Sequence, residues 1–277
     1  MAELVCVNGE FFTPERARLP VFDRGFLYGY GLFETILVRR GRPVFLSEHL
    51  ARLEAGCAAL KIACPLSFAD VHRLAEETAR KNGLGEGALR LTVTAGAEAP
   101  GEFPGTLVIS PRPLPYGPQD YRRGFTAGWA AGRRNEHSPL VTLKTLNYLE
   151  NLLARREARE KKKDEAIFLN TAGGVAEGSA SNVFVVKDGR VATPSGDQGL
   201  LPGIMRRAVL EACRRAGIPA EERPVAPEEI IRADECFLTS SLLVVMPLVE
   251  VGGLPVGSGR PGAVTGRIRA AVLERME

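Results

Sequence analysis

The chain has 277 residues, 45% of them hydrophobic and 25% charged, which excludes a fibre, a peptide or a disordered segment and leaves one large or two modest domains with a substantial core. A formal charge of +3, from 36 basic and 33 acidic residues, sets up no strong field toward nucleic acid or an anionic membrane. Cys6, Cys57, Cys64, Cys213 and Cys236 include no close pair, and neither a leader pattern nor an apolar run of about 18 residues is present. The expectation is therefore a cytoplasmic enzyme with no disulfide framework, no metal site and no membrane span.

In chain order, residues 4–12 read as a hairpin around Asn8-Gly9, a dipeptide suited to a type I′ turn. A second hairpin pairs 33–39 with 43–46 through Arg40-Gly41-Arg42, the β-branched Thr35, Ile36 and Val38 favouring extension. Ser47 is placed to cap a helix carrying Leu50, Leu53, Cys57 and Leu60 on one face. Phe68, Val71 and Leu74 repeat the pattern in a second helix, which Asn82-Gly83 ends. Strands at 89–94 and 106–110 complete an α+β layer. Four prolines in Pro111-Arg112-Pro113-Leu114-Pro115-Tyr116-Gly117-Pro118 interrupt helix and central strand alike. The expected organisation is an N-terminal α/β domain over 1–112, a linker over 113–121 and a C-terminal domain over 122–277.

The second half opens on a strand at 125–130 and a long helix over about 145–161 bearing Leu146, Leu149, Leu152 and Leu153, with Lys161-Lys162-Lys163 as its solvated end. A strand at 166–169 turns at Ala172-Gly173-Gly174, and strands at 182–187 and around Val191 meet across Asp188-Gly189. A helix over 203–216, strands over 236–240 and 244–251, and a closing helix over 266–276 follow. No internal repeat interrupts the pattern.

Lys144 ends the apolar stretch Pro139-Leu140-Val141-Thr142-Leu143, where desolvation disfavours the ammonium form and makes an amine a better carbonyl nucleophile. By itself a lysine before a helix reads as a surface residue. Glu177 lies among the small residues of Gly174-Val175-Ala176-Glu177-Gly178-Ser179-Ala180-Ser181-Asn182; alone it reads as a turn carboxylate, and if buried it needs a positive partner. Leu201-Pro202-Gly203-Ile204-Met205 enters a helix whose first amides have no internal partner, Thr239-Ser240-Ser241 ends a strand with three hydroxyls, and with Arg52 these are suited to surround a phosphate. His49 and His137 stand isolated, His72 sits beside Arg73, and no serine occupies a Gly-x-Ser-x-Gly elbow.

The order of these pieces carries more information than any one of them. Phe22-Asp23-Arg24-Gly25, Gly29-Tyr30-Gly31-Leu32-Phe33-Glu34-Thr35, Glu48-His49-Leu50-Ala51-Arg52-Leu53, Lys144-Thr145-Leu146-Asn147-Tyr148, Glu177-Gly178-Ser179-Ala180-Ser181-Asn182-Val183-Phe184 and Leu201-Pro202-Gly203-Ile204 together resemble the class IV aminotransferases across nearly the whole chain. That resemblance implies a fold-type IV pyridoxal-phosphate enzyme: a small N-terminal α/β domain, a larger C-terminal pseudo-barrel domain, a cofactor between them, and a homodimer. It matches Lys144 to the lysine that holds the cofactor covalently, Glu177 to the partner of the pyridine nitrogen and Leu201 to the residue packed on the ring. Arg52, Gly203, Ile204, Ser240 and Ser241 match the phosphate cup, and Met205 stands where many relatives have threonine, leaving only its amide for the phosphate.

Within that family the resemblance points to conversion of 4-amino-4-deoxychorismate to 4-aminobenzoate and pyruvate. Thr35 is similar to the lyases at a position where branched-chain aminotransferases tend to have glycine and D-amino-acid aminotransferases valine, and its hydroxyl is suited to relay a proton near Lys144. Ser241-Leu242-Leu243 followed by Met246-Pro247 also looks like the lyases. The loop Gly96-Ala97-Glu98-Ala99-Pro100-Gly101 lacks the Arg and His with which D-amino-acid aminotransferases hold a carboxylate, so Phe33, Arg90 and Arg134 are taken as the substrate contacts. The rival readings are a branched-chain or D-amino-acid aminotransferase and a non-catalytic protein that retains the fold.

Overall fold

The computed structural model describes residues 3–98 and 104–276; Ala99, Pro100 and Gly101 of the loop singled out above lie outside the described residues. Contacts divide the chain into two compact units, one running up to Pro115 and including Leu143–Asn147, the other formed by Tyr116–Thr142 and the chain from Tyr148 onward. The sequence reading kept 122–277 together, whereas Leu143–Asn147 is held by the first unit's backbone: Phe33 N donates to Lys144 O and Leu146 N to Gly31 O, each at 2.9 Å.

In the first unit Asn8 and Gly9 both take positive φ, 49° and 96°, as the tight turn between β1 (Val5–Val7) and β2 (Glu10–Phe12) requires. A one-turn helix missing from the sequence reading, α1 (Arg24–Tyr28), follows. Asp23 caps it by accepting from Gly25 N at 2.7 Å, and Gly29 closes it at φ 66°. β3 (Gly31–Arg39) turns through Arg40 and Gly41, at φ 49° and 77°, into β4 (Arg42–Pro43). The second strand of this hairpin is shorter than the expected 43–46, because Phe45 adopts φ 53° and α2 (Leu46–Ala59) starts at once. Ser47 therefore lies inside the helix and does not cap it. Ser67 does cap α3 (Phe68–Lys81), accepting from Asp70 N at 3.1 Å.

β5 (Glu86–Thr94) and β6 (Leu107–Arg112) complete a six-stranded sheet in the order β2-β1-β6-β5-β3-β4. Pro111 pairs with Leu89 inside β6, and the register of β1 on β6 reaches only Val108 and Ile109, so the missing proline donor falls beyond the end of that neighbour. Leu32, Ile36 and Val38 of β3 and Leu89, Leu91 and Val93 of β5 join Leu50, Leu53, Val71 and Leu74 of the two helices in one apolar core. By strand alternation Phe33, Thr35 and Arg90 belong to the opposite face of the sheet.

The second unit opens on α4 (Pro118–Arg123) and β7 (Phe125–Arg134). Its helix α5 (Leu149–Glu160) begins later than the expected 145, since Thr145, Leu146 and Asn147 belong to the first unit. β8 (Glu165–Asn170) runs parallel to β7 and α5 packs on both, a β-α-β arrangement. β9 (Val175–Gly178), β10 (Asn182–Lys187) and β11 (Arg190–Thr193) follow, then α6 (Ile204–Arg215) and β12 (Ala220–Glu222). The rest comprises α7 (Pro227–Arg232), β13 (Glu235–Thr239), β14 (Met246–Val251), β15 (Leu254–Pro255) and α8 (Ala263–Glu274). The nine-stranded mixed sheet has the order β12-β11-β10-β13-β14-β7-β8-β9, with β15 on β14. Among the described residues no helix is long and apolar enough to cross a membrane.

Candidate active site

The first unit gathers Phe33, Thr35, Arg52, Arg90 and Lys144. The Lys144 segment lies along the start of β3, with Leu32 bridged to Thr145, and Gly31 is what allows the approach. A Cβ at Gly31 would stand 2.6 Å from Leu146 Cδ1 and 2.6 Å from Val93 O. Asn147 Nδ2 adds a bond to Gly29 O at 3.1 Å. The Lys144 amine thereby sits 4.4 Å from the centroid of the Phe33 ring, and the Arg90 guanidinium packs 3.8 Å from the same ring. Thr35 is directly opposite Arg90 in the β3/β5 register and two residues along the same strand face from Phe33, at roughly 7 Å by strand rise.

Arg52 is engaged by a residue the sequence reading passed over. Glu34 accepts from Arg52 Nε and Nη2, both at 2.7 Å, and from His49 Nδ1 at 2.7 Å. Glu34 and His49 are each 1% exposed and Arg52 is 19% exposed. Burial pushes the Glu34 carboxyl upward, but the hydrogen bonds from Arg52 and His49 outweigh it and hold the group at about 2. Burial is also the main reason that His49 is pushed below its ordinary value, with Arg52 and Lys144 adding to it against the pull of Glu34. The one available signal was parity: a carboxylate stands between Leu32 and Ile36, on the side of β3 that faces the core.

The second unit gathers Glu177, Leu201, Gly203, Ile204, Met205, Ser240 and Ser241. Glu177 is a strand residue in β9, opposite Phe168, and not the turn residue that its small neighbours suggested. It is buried, with Leu201 N donating to Oε2 at 3.0 Å and Arg134 Nη2 3.1 Å from Oε1. Arg134 also donates to Glu150 at 2.7 Å and lies over the Phe168 ring. Arg134, expected as a substrate contact, is 7% exposed and pairs with two carboxylates, one of them Glu177.

One strand pair brings the two halves of the expected phosphate cup to the same end of the sheet. Asn182 pairs with Thr239 across β10 and β13, and Asn182 Nδ2 donates to Leu201 O at 2.9 Å. A Cβ at Gly203 would fall 2.1 Å from Asn182 Oδ1, so the entry to α6 needs glycine there. Gly203 offers no side-chain cap to α6, whose first residues are Ile204 and Met205. Ser240 Oγ accepts from Leu243 N at 3.2 Å, and the buried Thr239 hydroxyl has no hydrogen-bond partner among the described residues.

Glu165 and Tyr148 complete this half, and neither had been given a role from sequence. Buried Glu165 accepts from Ser181 Oγ at 2.9 Å and from the Ser179 hydroxyl, while Tyr148 OH and Asn151 Nδ2 donate to Ser179 O at 2.9 and 2.8 Å. Burial first, then the charges of Glu177 and Glu165, push the Tyr148 hydroxyl well above its ordinary value, so it remains a neutral donor. These bonds fix the small-residue loop between Glu177 and Asn182.

The first unit supplies an amine beside an aromatic ring, and the second supplies a buried carboxylate held by an arginine and an uncapped helix start with hydroxyls near it. A family model described as amino-transferase class IV matches residues 31–251. A D-alanine aminotransferase of Listeria monocytogenes is 29% identical over 280 residues, 98% of this chain and 96% of that protein. An aminodeoxychorismate lyase of Bacillus subtilis is 32% identical over 267 residues, 92% of this chain and 89% of that one. Among solved structures, the branched-chain amino acid aminotransferase of Escherichia coli superposes with a TM-score of 0.93 at 28% identity, covering 100% of this chain and 95% of that one. A branched-chain amino acid aminotransferase from T.th. with pyridoxamine 5′-phosphate gives a TM-score of 0.92 at 27% identity, covering 99% of this chain and 94% of that one.

Proposed function

The chain belongs to the amino-transferase class IV family, and from that membership we propose that it is a 4-amino-4-deoxychorismate lyase, releasing 4-aminobenzoate and pyruvate. Its cofactor is pyridoxal 5′-phosphate. The donor set suits such a group: an amine at Lys144 for its aldehyde, buried Glu177 for its ring nitrogen, Leu201 for its ring face. Arg52, the amides of Ile204 and Met205, and Ser240 and Ser241 would take its phosphate, and the Thr239 hydroxyl, without a partner among the described residues, marks the end of β13 as polar. When bound, the cofactor supplies an electron-accepting ring that takes up charge as a substrate bond breaks.

The observation that carries the lyase reading is the face of β3 and β5 on which Phe33, Thr35 and Arg90 stand together with Lys144. Arg90, held over the Phe33 ring, presents a cation to a substrate carboxylate. The Lys144 amine removes the proton from the ring carbon that bears the substrate nitrogen. As the ether bond between the neighbouring ring carbon and the three-carbon unit breaks, the same amine returns one proton to that unit's methylene carbon, so bonds and protons close with pyruvate as the second product. Thr35 contributes a hydroxyl on that face, suited to pass this proton. Glu177, steadied by Arg134 and Leu201 N, holds positive charge at the ring nitrogen.

A second reading, an aminotransferase for branched-chain or D-amino acids, is favoured by the similarity to proteins of those names over nearly the whole chain. Both readings take the protein as a homodimer, which the outward apolar run Val21, Phe22, Phe26 and Tyr28 supports. The deciding experiment offers the purified protein enzymatically made aminodeoxychorismate and, separately, L-leucine or D-alanine with 2-oxoglutarate. Pyruvate and 4-aminobenzoate formed without an oxo-acid acceptor support the lyase; glutamate formation alone rejects it.

A further inference from the structure

Glu34 is a buried carboxylate that the reaction does not use. It projects from β3 into the apolar layer between Leu32 and Ile36, where alternation calls for an apolar side chain. Burying a carboxylate in that layer is costly unless its oxygens are occupied, and both are. Oε1 accepts from Arg52 Nε, while Oε2 accepts from Arg52 Nη2 and from His49 Nδ1, all at 2.7 Å. His49 and Arg52 are three apart on α2 and so share one helix face. An ionised carboxylate only accepts, so Nδ1 of His49 carries the hydrogen of that bond.

We propose that Glu34 is a positioning residue that locks the Arg52 guanidinium, through a two-point carboxylate pair buttressed by His49, in the one orientation that receives the cofactor's phosphate. This rests on Arg52 as a phosphate ligand. The pair occupies two guanidinium nitrogens at once, which fixes the plane of the group and not merely its distance. The partner that does so is itself almost fully enclosed and cannot follow a rotation of the arginine. Arg52 thus meets the phosphate already ordered, and the conformational cost of holding a long side chain is met during folding instead of during binding.

Charge and geometry predict opposite outcomes when Glu34 is neutralised. Removing a negative charge beside Arg52 strengthens the local attraction for a phosphate dianion, whereas Glu34→Gln turns one carboxylate oxygen into a donor facing a donor and frees the guanidinium plane. Apoprotein is titrated with pyridoxal 5′-phosphate and with pyridoxal, which lacks the phosphate, following the absorbance of the bound chromophore. The expected result is that E34Q weakens pyridoxal phosphate at least about tenfold while pyridoxal stays within about twofold. Arg52→Gln likewise lowers the ratio of pyridoxal phosphate affinity to pyridoxal affinity, and the double variant is no worse than R52Q alone, as coupled residues behave.

If R52Q leaves the ratio unchanged, Arg52 is not the phosphate ligand and the parent reading fails. If R52Q lowers the ratio but E34Q raises it, leaves it alone or weakens both ligands equally, only the positioning role is overturned. Should E34Q not fold, Glu34→Asp takes its place under the same criteria. Failure of both to fold assigns Glu34 to the core and overturns the inference.

Discussion

Acidification should undo the cluster at Glu34 in a way that one substitution removes. The carboxyl is held at about 2 against an ordinary 4.5. Between those values the unfolded chain binds a proton that the folded chain refuses, so stability falls as pH drops through the window and is fully present above it. The gap corresponds to roughly 3 kcal/mol, of which about 2 kcal/mol is lost by pH 3. His49, pushed below its ordinary 6.5 mainly by burial against the pull of Glu34, acts in the same direction, and because E34Q removes that pull the comparison is made in a His49→Gln background, where the imidazole no longer titrates. Urea unfolding of the apoprotein, followed by circular dichroism at pH 5 and pH 3, measures the difference without linkage to cofactor binding. In that background the protein with Glu34 should lose up to about 2 kcal/mol more than the one with E34Q over that interval. Equal losses in the two proteins would show that Glu34 is not an ionised carboxylate held by Arg52 and His49.

Arg134→Met leaves Glu177 buried without its cation and should cost about 3 kcal/mol, a fall of roughly 6–12 °C in melting temperature for a chain of this size; a change under about 2 °C would mean that Arg134 does not support Glu177. Gly203→Ala drives a methyl group into Asn182 Oδ1 and breaks its hold on Leu201 O. A loss of roughly 1–3 kcal/mol by urea unfolding is expected, and an unchanged midpoint would contradict the close approach. Thr35→Gly should slow pyruvate release at least about tenfold, within the range of a lost proton relay, while pyridoxal phosphate affinity stays constant. Equal loss of both would remove the proposed role of its hydroxyl.

Much of this architecture was legible because periodicity and turn chemistry agree locally. Asn8-Gly9 and Asn82-Gly83 stand at the turn and helix end that their residue types favour. The helix ending in Lys161-Lys162-Lys163 was drawn too long because Leu146 continues the spacing of Leu149, Leu152 and Leu153, yet its backbone amide is spent on Gly31 O. Only a partner distant in sequence reveals that. Glu177 was identified, but its strand setting was hidden by small neighbours whose packing against the Asn182 loop needs glycine and serine. The pairing of Arg134 with Glu150 and Glu177 was hidden because sequence shows charges without showing which carboxylates meet them. Glu34 and His49 were missed for the converse reason: each is unremarkable alone, and their meaning lies in strand parity and helix facing combined.

Every role proposed for the other residues depends on Lys144 being the side chain that joins the cofactor. Protein loaded with pyridoxal 5′-phosphate is reduced with borohydride, digested and mapped by mass spectrometry. One stable pyridoxyl adduct is expected, on Lys144, with loss of the visible chromophore in Lys144→Ala. An adduct confined to any other lysine, or protein that stays colourless and unlabelled with excess cofactor, would contradict it.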